Sequence, residues 1–308
     1  MEYKAYKMQF TNGVHLGRTA LEDSEYSICA DTIFSALCQE ALKQSESCMN
    51  QLVAYVRAGA VLFSDAFPYM GDQYYVPKPR IRIETENQGD SKIKKAYKKL
   101  KYIPADQLTE YLNGKMDVQT VQGELKELGF AYTKTSASVR GKTETVPYRV
   151  GVYQFREGNG LYLIVGYQEQ EQKELVEDLL TTLCYTGIGG KRSSGLGRFE
   201  LEFAEIDAEI LKRLQTEGKQ YMTLSVSLPE EQELEHVLAK ASYQLVKRSG
   251  FVASATYADE YLRKKDLFVF EAGTCVEEKY QGNIYDVSNN GGHAVYRYAK
   301  PMFLEVSR

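Results

Sequence analysis

The chain has 308 residues and a mass of 35.0 kDa, enough for one large domain or two medium ones with their own cores. Hydrophobic residues make up 43% and charged residues 26%, an ordinary globular mixture that excludes a wholly disordered chain. Its 38 basic and 42 acidic residues leave a net charge of −4, so any polyanion site must be a local patch.

The N-terminus, MEYKAYKMQF, alternates charge with aromatics and lacks the apolar run of a signal peptide. Nowhere do eighteen apolar residues run together, so no spanning helix is expected. Cys29, Cys38, Cys48, Cys184 and Cys275 are scattered, without CxxC pairs. That usage fits reduced thiols, and a soluble cytoplasmic protein is expected.

The period-2 alternation of residues 1–10 predicts a strand. Asp31 is the expected N-cap of a helix carrying Ile33, Phe34, Leu37, Cys38, Ala41 and Leu42 on one face. Residues 92–101, KIKKAYKKLK, hold six lysines. Alternating runs at 148–156 and 161–167, joined by Glu157-Gly158-Asn159-Gly160, predict a hairpin. An amphipathic helix at 172–184 leads into GIGGKRSSGLGRF and a strand at 198–204. AEIDAEILKRLQTEG then reads as a connecting helix, after which strands resume at 221 and Pro229 opens an acidic helix through Glu235. Strand–helix–strand–strand–helix–strand, followed by a reduced copy, predicts an α+β protein of two ferredoxin-like halves, 1–210 and 211–308.

The strongest chemical signal is the segment 187–198, with five glycines in eleven positions from Gly187 to Gly197. Glycine permits positive φ and close backbone approach, and exposed amides can cradle phosphate oxygens. Lys191, Arg192 and Arg198 add charge; Ser193 and Ser194 add donors. Tyr185 and Arg192 stand where a P-loop needs Gly and Ser or Thr, and Arg192 also breaks the dinucleotide pattern. The other reading is a connector between helix and strand. The lysine run reads either as a solvated face or as nonspecific attraction to a polyanion. Residues 134–149 have the composition of an exposed arm. His15, His236 and His293 have no metal spacing, and no GxSxG elbow or spaced carboxylate set is present.

The glycine-rich loop resembles the signature loop of the RAMP superfamily of CRISPR effector proteins. GVHLG at 13–17, ADTIFSAL at 30–37, SDAFPY at 64–69, YYVPKP at 74–79, PYRVGVYQF at 147–155, KRSGFVAS at 247–254 and HAVYRYAKP at 293–301 occur in the order of one branch, the fourth Csm subunits of type III-A effector complexes. Residues 85–135 carry no matching motif.

The resemblance implies ferredoxin-like folds and a non-catalytic, cofactor-free scaffold in antiviral defence. Such a subunit grips the 5′ handle of the CRISPR RNA and joins the large polymerase-like subunit to the backbone RAMP subunits, with target RNA nearby. The residues expected to hold RNA are Gly189, Gly190, Lys191, Arg192, Ser193, Ser194, Gly195 and Gly197 of the loop, with His15 and Gly17 in the first turn. Lys247, Arg248 and Ser249 follow in the second half. The 134–149 arm, with Ser136, Arg140 and Lys142, resembles the thumb hairpin that wedges between guide and target. A metal-independent endoribonuclease with His15 as general acid or base is the alternative, and a clamp that binds only proteins is a third. The over one hundred residues after the loop, and the lack of a partner for His15, count against the enzyme.

Overall fold

Strand-forming and helix-forming periods alternate along this chain, and the computed structural model of the protein is accordingly a mixed α+β fold. It describes residues 1–17, 20–83, 91–138, 146–254, 256–260 and 262–307. The first half contains β1 (Glu2–Phe10), α1 (Ala30–Gln44), α2 (Glu46–Arg57), β2 (Val61–Phe63), β3 (Phe67–Met70) and β4 (Gln73–Pro77). It continues with α3 (Ser91–Lys99), β5 (Tyr102–Pro104), α4 (Leu108–Leu112) and α5 (Val118–Glu124). Then come β6 (Gly129–Ser138), β7 (Val146–Phe155), β8 (Asn159–Tyr167), α6 (Gln170–Thr186) and β9 (Phe199–Ala204).

One antiparallel sheet runs β5-β4-β3-β8-β1-β9, with β2 paired to the far end of β8. Tyr6, Met8 and Phe10 of β1 and Leu161, Leu163 and Val165 of β8 face α1, α2 and α6. The opposite face of β8, through Tyr162 and Ile164, packs on Tyr111 and Val121 of α4 and α5 and on Met222, Leu224 and Leu304 of the second half. A strand covered on both sides has no polar face, which is why GLYLIVGY reads as a continuous apolar run rather than an alternation.

Two expectations are corrected. Asp31 is not the N-cap of α1; Cys29 holds that position without a side-chain bond, and Asp31 sits buried in the first turn. The cap is supplied from a distance, by Asp65, whose Oδ1 accepts from the Ala30 amide at 2.7 Å. Nor do residues 148–156 and 161–167 form a hairpin. β7 pairs over ten residues with β6, from Gly129↔Phe155 to Ser138↔Val146, while β8 pairs with β1, β2 and β3. The turn residues are where a hairpin needs them, but β8 is saturated on both edges by strands with better buried partners. The helix expected at 172–184 is present as α6, opened by a reciprocal capping box between Glu169 and Gln172.

The second half contains α7 (Ala208–Gln215), β10 (Tyr221–Thr223), α8 (Glu231–Leu238), β11 (Leu245–Arg248), β12 (Leu267–Phe270), β13 (Cys275–Val276), β14 (Asn283–Asp286), β15 (Tyr296–Ala299) and β16 (Phe303–Glu305). Its described strands form three separate ladders, β13-β10-β16, β11-β12 and β14-β15, rather than one continuous sheet. Asp65 ties the halves together: its amide donates to Leu224 O at 2.7 Å, and its Oδ1 also accepts from the Val226 amide at 3.0 Å.

Candidate nucleic-acid interface

The glycine-rich segment follows the last turn of α6 and is zipped onto the first turn of the chain. The Gly190 amide donates to His15 O and the Gly197 amide to Gly13 O, both at 2.9 Å. A Cβ at Gly190 would lie 2.6 Å from Cδ2 of His15, so this contact requires glycine. The buried imidazole of His15 is held from behind by Nδ1, 2.7 Å from the carbonyl oxygen of Gly151 in β7. A carbonyl only accepts, so Nδ1 carries the proton, leaving Nε2 on the side of Gly17 without a hydrogen-bond partner among the described residues.

In front of this junction opens a cleft of about 690 Å³. Its roof is His15 to Gly17 with Gly189 and Gly190. Its floor is Cys29, Thr32 and Asp65. One wall runs through Lys78, Arg80 and Lys98 to Tyr102, and the other from Gln244 to Ser249. Seven cationic side chains line it against the three carboxylates of Glu25, Asp65 and Glu271. The cleft is a local concentration of basic side chains on an acidic chain, and charges farther off than about 8 Å are largely screened from it at physiological salt.

The cations differ in how far they are committed within the protein. Arg248 forks onto Asp31, Nε to Oδ2 at 2.9 Å and Nη2 to Oδ1 at 2.7 Å, and Arg297 reaches the same carboxylate at 2.6 Å. Burial alone would raise the Asp31 carboxyl, but Arg248 and then Arg297 hold it below the usual carboxylate range. Lys247 pairs with Asp266 at 2.6 Å, Lys101 with Glu25 at 3.1 Å, and Arg80 with Glu271. The Lys78 ammonium donates to Tyr97 O at 2.7 Å, and burial with Arg80 nearby pulls its pKa down. Lys98 and Lys99 are exposed and have no ion partner among the described residues.

Of the residues read from sequence, His15, Gly17, Gly189, Gly190, Lys247, Arg248 and Ser249 meet at this one cleft. Lys191, Arg192, Ser193, Ser194, Gly195 and Gly197 lie outside it. Lys191 sits over the Tyr148 ring at 4.5 Å, near the outer end of the β6–β7 ladder, where the register sets Ser136 opposite Tyr148. Arg192 turns to Gln39 of α1, 3.2 Å from its Oε1. Ser193 and Ser194 are exposed, and Gly197 is buried in the loop's closure. Arg140 and Lys142 fall outside the described residues. Sequence reasoning missed Lys78, although it lies in the YYVPKP motif, and Arg80 just after it, and left the lysine run undecided although its end forms a wall. No group of three or more His, Cys, Asp or Glu suited to a metal occurs among the described residues, and none of their helices is long and apolar enough to cross a membrane.

Comparison with known proteins gives this geometry a family. Residues 18–200 match the RAMP superfamily model and residues 216–306 the CRISPR Csm4 C-terminal domain. The CRISPR system Cms protein Csm4 of Mycobacterium tuberculosis (strain H37Rv) is 39% identical over 99% of this chain and 98% of its own length. That of Streptococcus thermophilus is 33% identical over 99% of both. The fold is similar to that of a chain in a crystal structure of a Csm3–Csm4 subcomplex of the type III-A CRISPR-Cas interference complex, with a TM-score of 0.67 and 15% identity over 98% of each chain. It is also similar to a chain of a Csm1–Csm4 cassette bound to AMPPNP, with a TM-score of 0.61 and 18% identity over 99% of each. The chain belongs to the RAMP superfamily and, within it, to the Csm4 family of type III-A CRISPR effector subunits.

Proposed function

We propose that this chain is a non-catalytic scaffold that grips the 5′ handle of the CRISPR RNA and links the large polymerase-like subunit to the backbone RAMP subunits. The observation that carries the reading is the convergence of three distant segments, 15–17, 189–190 and 247–249, on one cation-lined cleft. Single-stranded RNA is held by backbone amides and cations on its phosphates, with bases splayed onto the protein surface, and this cleft supplies the cations, Lys98 and Lys99 being without an ion partner among the described residues. The solved relatives bound to Csm3 and to Csm1 support the two protein partners. The acidic helices α6 and α8 contribute nothing to the cleft lining and leave surface for them.

The strand order β3-β8-β1-β9, with α1 and α6 as the crossovers, supports a ferredoxin-like first half. The ranges 18–200 and 216–306 of the two family matches support a division near residue 210. On this reading the arm at 134–149 lies against the guide–target junction, with target RNA nearby. A scaffold role also accounts for His15, whose Nδ1 is committed to the backbone and whose Nε2 has no proton-transfer partner among the described residues.

The test is fluorescence anisotropy of the full chain with labelled handle RNA and a scrambled RNA of equal length, across a salt series. Tighter binding of the handle, with a negative slope of log affinity against log salt, is expected. Equal, weak binding of both would favour a clamp that touches only proteins. Cleavage of repeat RNA that disappears in His15→Ala would favour the nuclease.

A further inference from the structure

A carboxylate at the floor of a cleft built for a polyanion needs a physical account. Asp65 is buried, and one oxygen, Oδ1, is fully engaged as acceptor for the Ala30 and Val226 amides. The other, Oδ2, has no hydrogen-bond partner among the described residues, although the residue lines the cleft. No cation among the described residues is committed to it, since Arg248, whose charge acts on it, is forked onto Asp31 instead. An ionised carboxylate here would repel an incoming phosphodiester in a poorly solvated site. A neutral one would present an O–H donor on Oδ2 while Oδ1 kept both amides satisfied.

We infer that Asp65 contacts the bound RNA as the neutral acid, so that RNA uptake by the cleft is coupled to proton uptake at its floor. This rests on the RNA-binding reading above. Burial pushes the Asp65 carboxyl up to about 7, against the two amide bonds that lower it, and the proximity of Asp31 adds to the rise while Arg248 opposes it. Phosphate charge in the cleft acts in the same direction as burial. The other titratable groups that face it are Cys29, Tyr102 and Tyr298, all of which burial pushes upward, away from neutrality. His15 lines the same cleft and is separated by mutation.

The experiment measures affinity of the full chain for labelled single-stranded handle RNA from pH 6 to 8 at fixed ionic strength. If the bound state holds the proton and the free state titrates near 7, affinity falls about tenfold across that range. Asp65→Asn keeps an acceptor for the two amides and puts an N–H donor in place of the acid proton, so its affinity should stay nearly flat. His15→Gln should retain the fall. A pH-independent wild type, an Asp65→Asn variant with the full fall, or a His15→Gln variant without it overturns the inference. Should Asp65→Asn fail to fold, titration calorimetry of His15→Gln in buffers of different ionisation heat at pH 7.5 decides. Uptake of roughly 0.5 to 1 proton per RNA is expected, and none overturns. RNA that binds without pH dependence removes only this coupling, whereas RNA that does not bind at any pH removes the RNA-binding reading as well.

Discussion

A methyl group added at Gly190 would meet the His15 ring, while one added at Gly195 would meet nothing within 4 Å but would sit on a backbone with φ of +84°. The two glycines therefore separate site geometry from local strain. Gly195→Ala should cost about 1–2 kcal/mol through the left-handed conformation alone and leave RNA affinity intact. Gly190→Ala should cost about 1–3 kcal/mol through overpacking and also weaken handle RNA, because His15 must leave its place in the roof. Thermal melts paired with anisotropy read both; equal loss of affinity in the two variants would mean that the loop acts only through its stability. Asp31 is the other residue on which the cleft depends, since it pairs with two guanidinium groups at once. Asp31→Asn should destabilise by about 3–5 kcal/mol, the scale of a broken buried pair. Because its carboxyl is held below the usual range, its stabilisation is present at neutral pH and lost as pH falls through its folded pKa. The variant's melting temperature should therefore lie well below wild type at pH 7 and converge on it in acid.

Among the elements, α3 and the residues after it set the electrostatics of the cleft, although no motif marked them. Lys98→Ala with Lys99→Ala should flatten the salt dependence of handle binding by about 1.4 in log–log slope, roughly 0.7 for each lost phosphate contact on a single strand. Lys191→Ala with Arg192→Ala should change it less, since those side chains lie on Tyr148 and Gln39 outside the cleft. The opposite ranking would move the RNA path to the arm. What was legible in the sequence follows the same division. β1, α1 and α6 each pack one face, so their periods showed; β8 packs two, and its register was lost. The roof was legible because glycine is a backbone requirement written into the residue itself. The wall was not, because Lys78, Arg80 and Lys98 become neighbours only when β4 and β5 pair, and no local pattern encodes that meeting. Arg248 was read as free charge because its partner Asp31 lies 217 positions away.

At the scale of the whole molecule, the division proposed near residue 210 separates two ranges of sequence but would cut through one core. Tyr162 and Ile164 of the central strand share a cluster with Met222, Leu224, Leu304 and Val306, so the second half covers a face that the first half would otherwise expose. The Asp65 bonds to Leu224 and Val226 and the Arg248 and Arg297 pairs to Asp31 cross the same boundary beneath the cleft. Burial of that face and of those charges belongs to neither half alone. A protein built this way should unfold as one unit in calorimetry, with van't Hoff and calorimetric enthalpies equal. A fragment of residues 1–210 should melt lower than the intact chain and bind a dye for exposed apolar surface, because it presents Tyr162 and Ile164 to water and strips Asp31 of both arginines. Two resolved transitions in the intact chain, with the fragment reproducing one of them unchanged, would mean instead that the halves fold independently. The cleft between them would then be a docking surface formed after folding rather than a product of it.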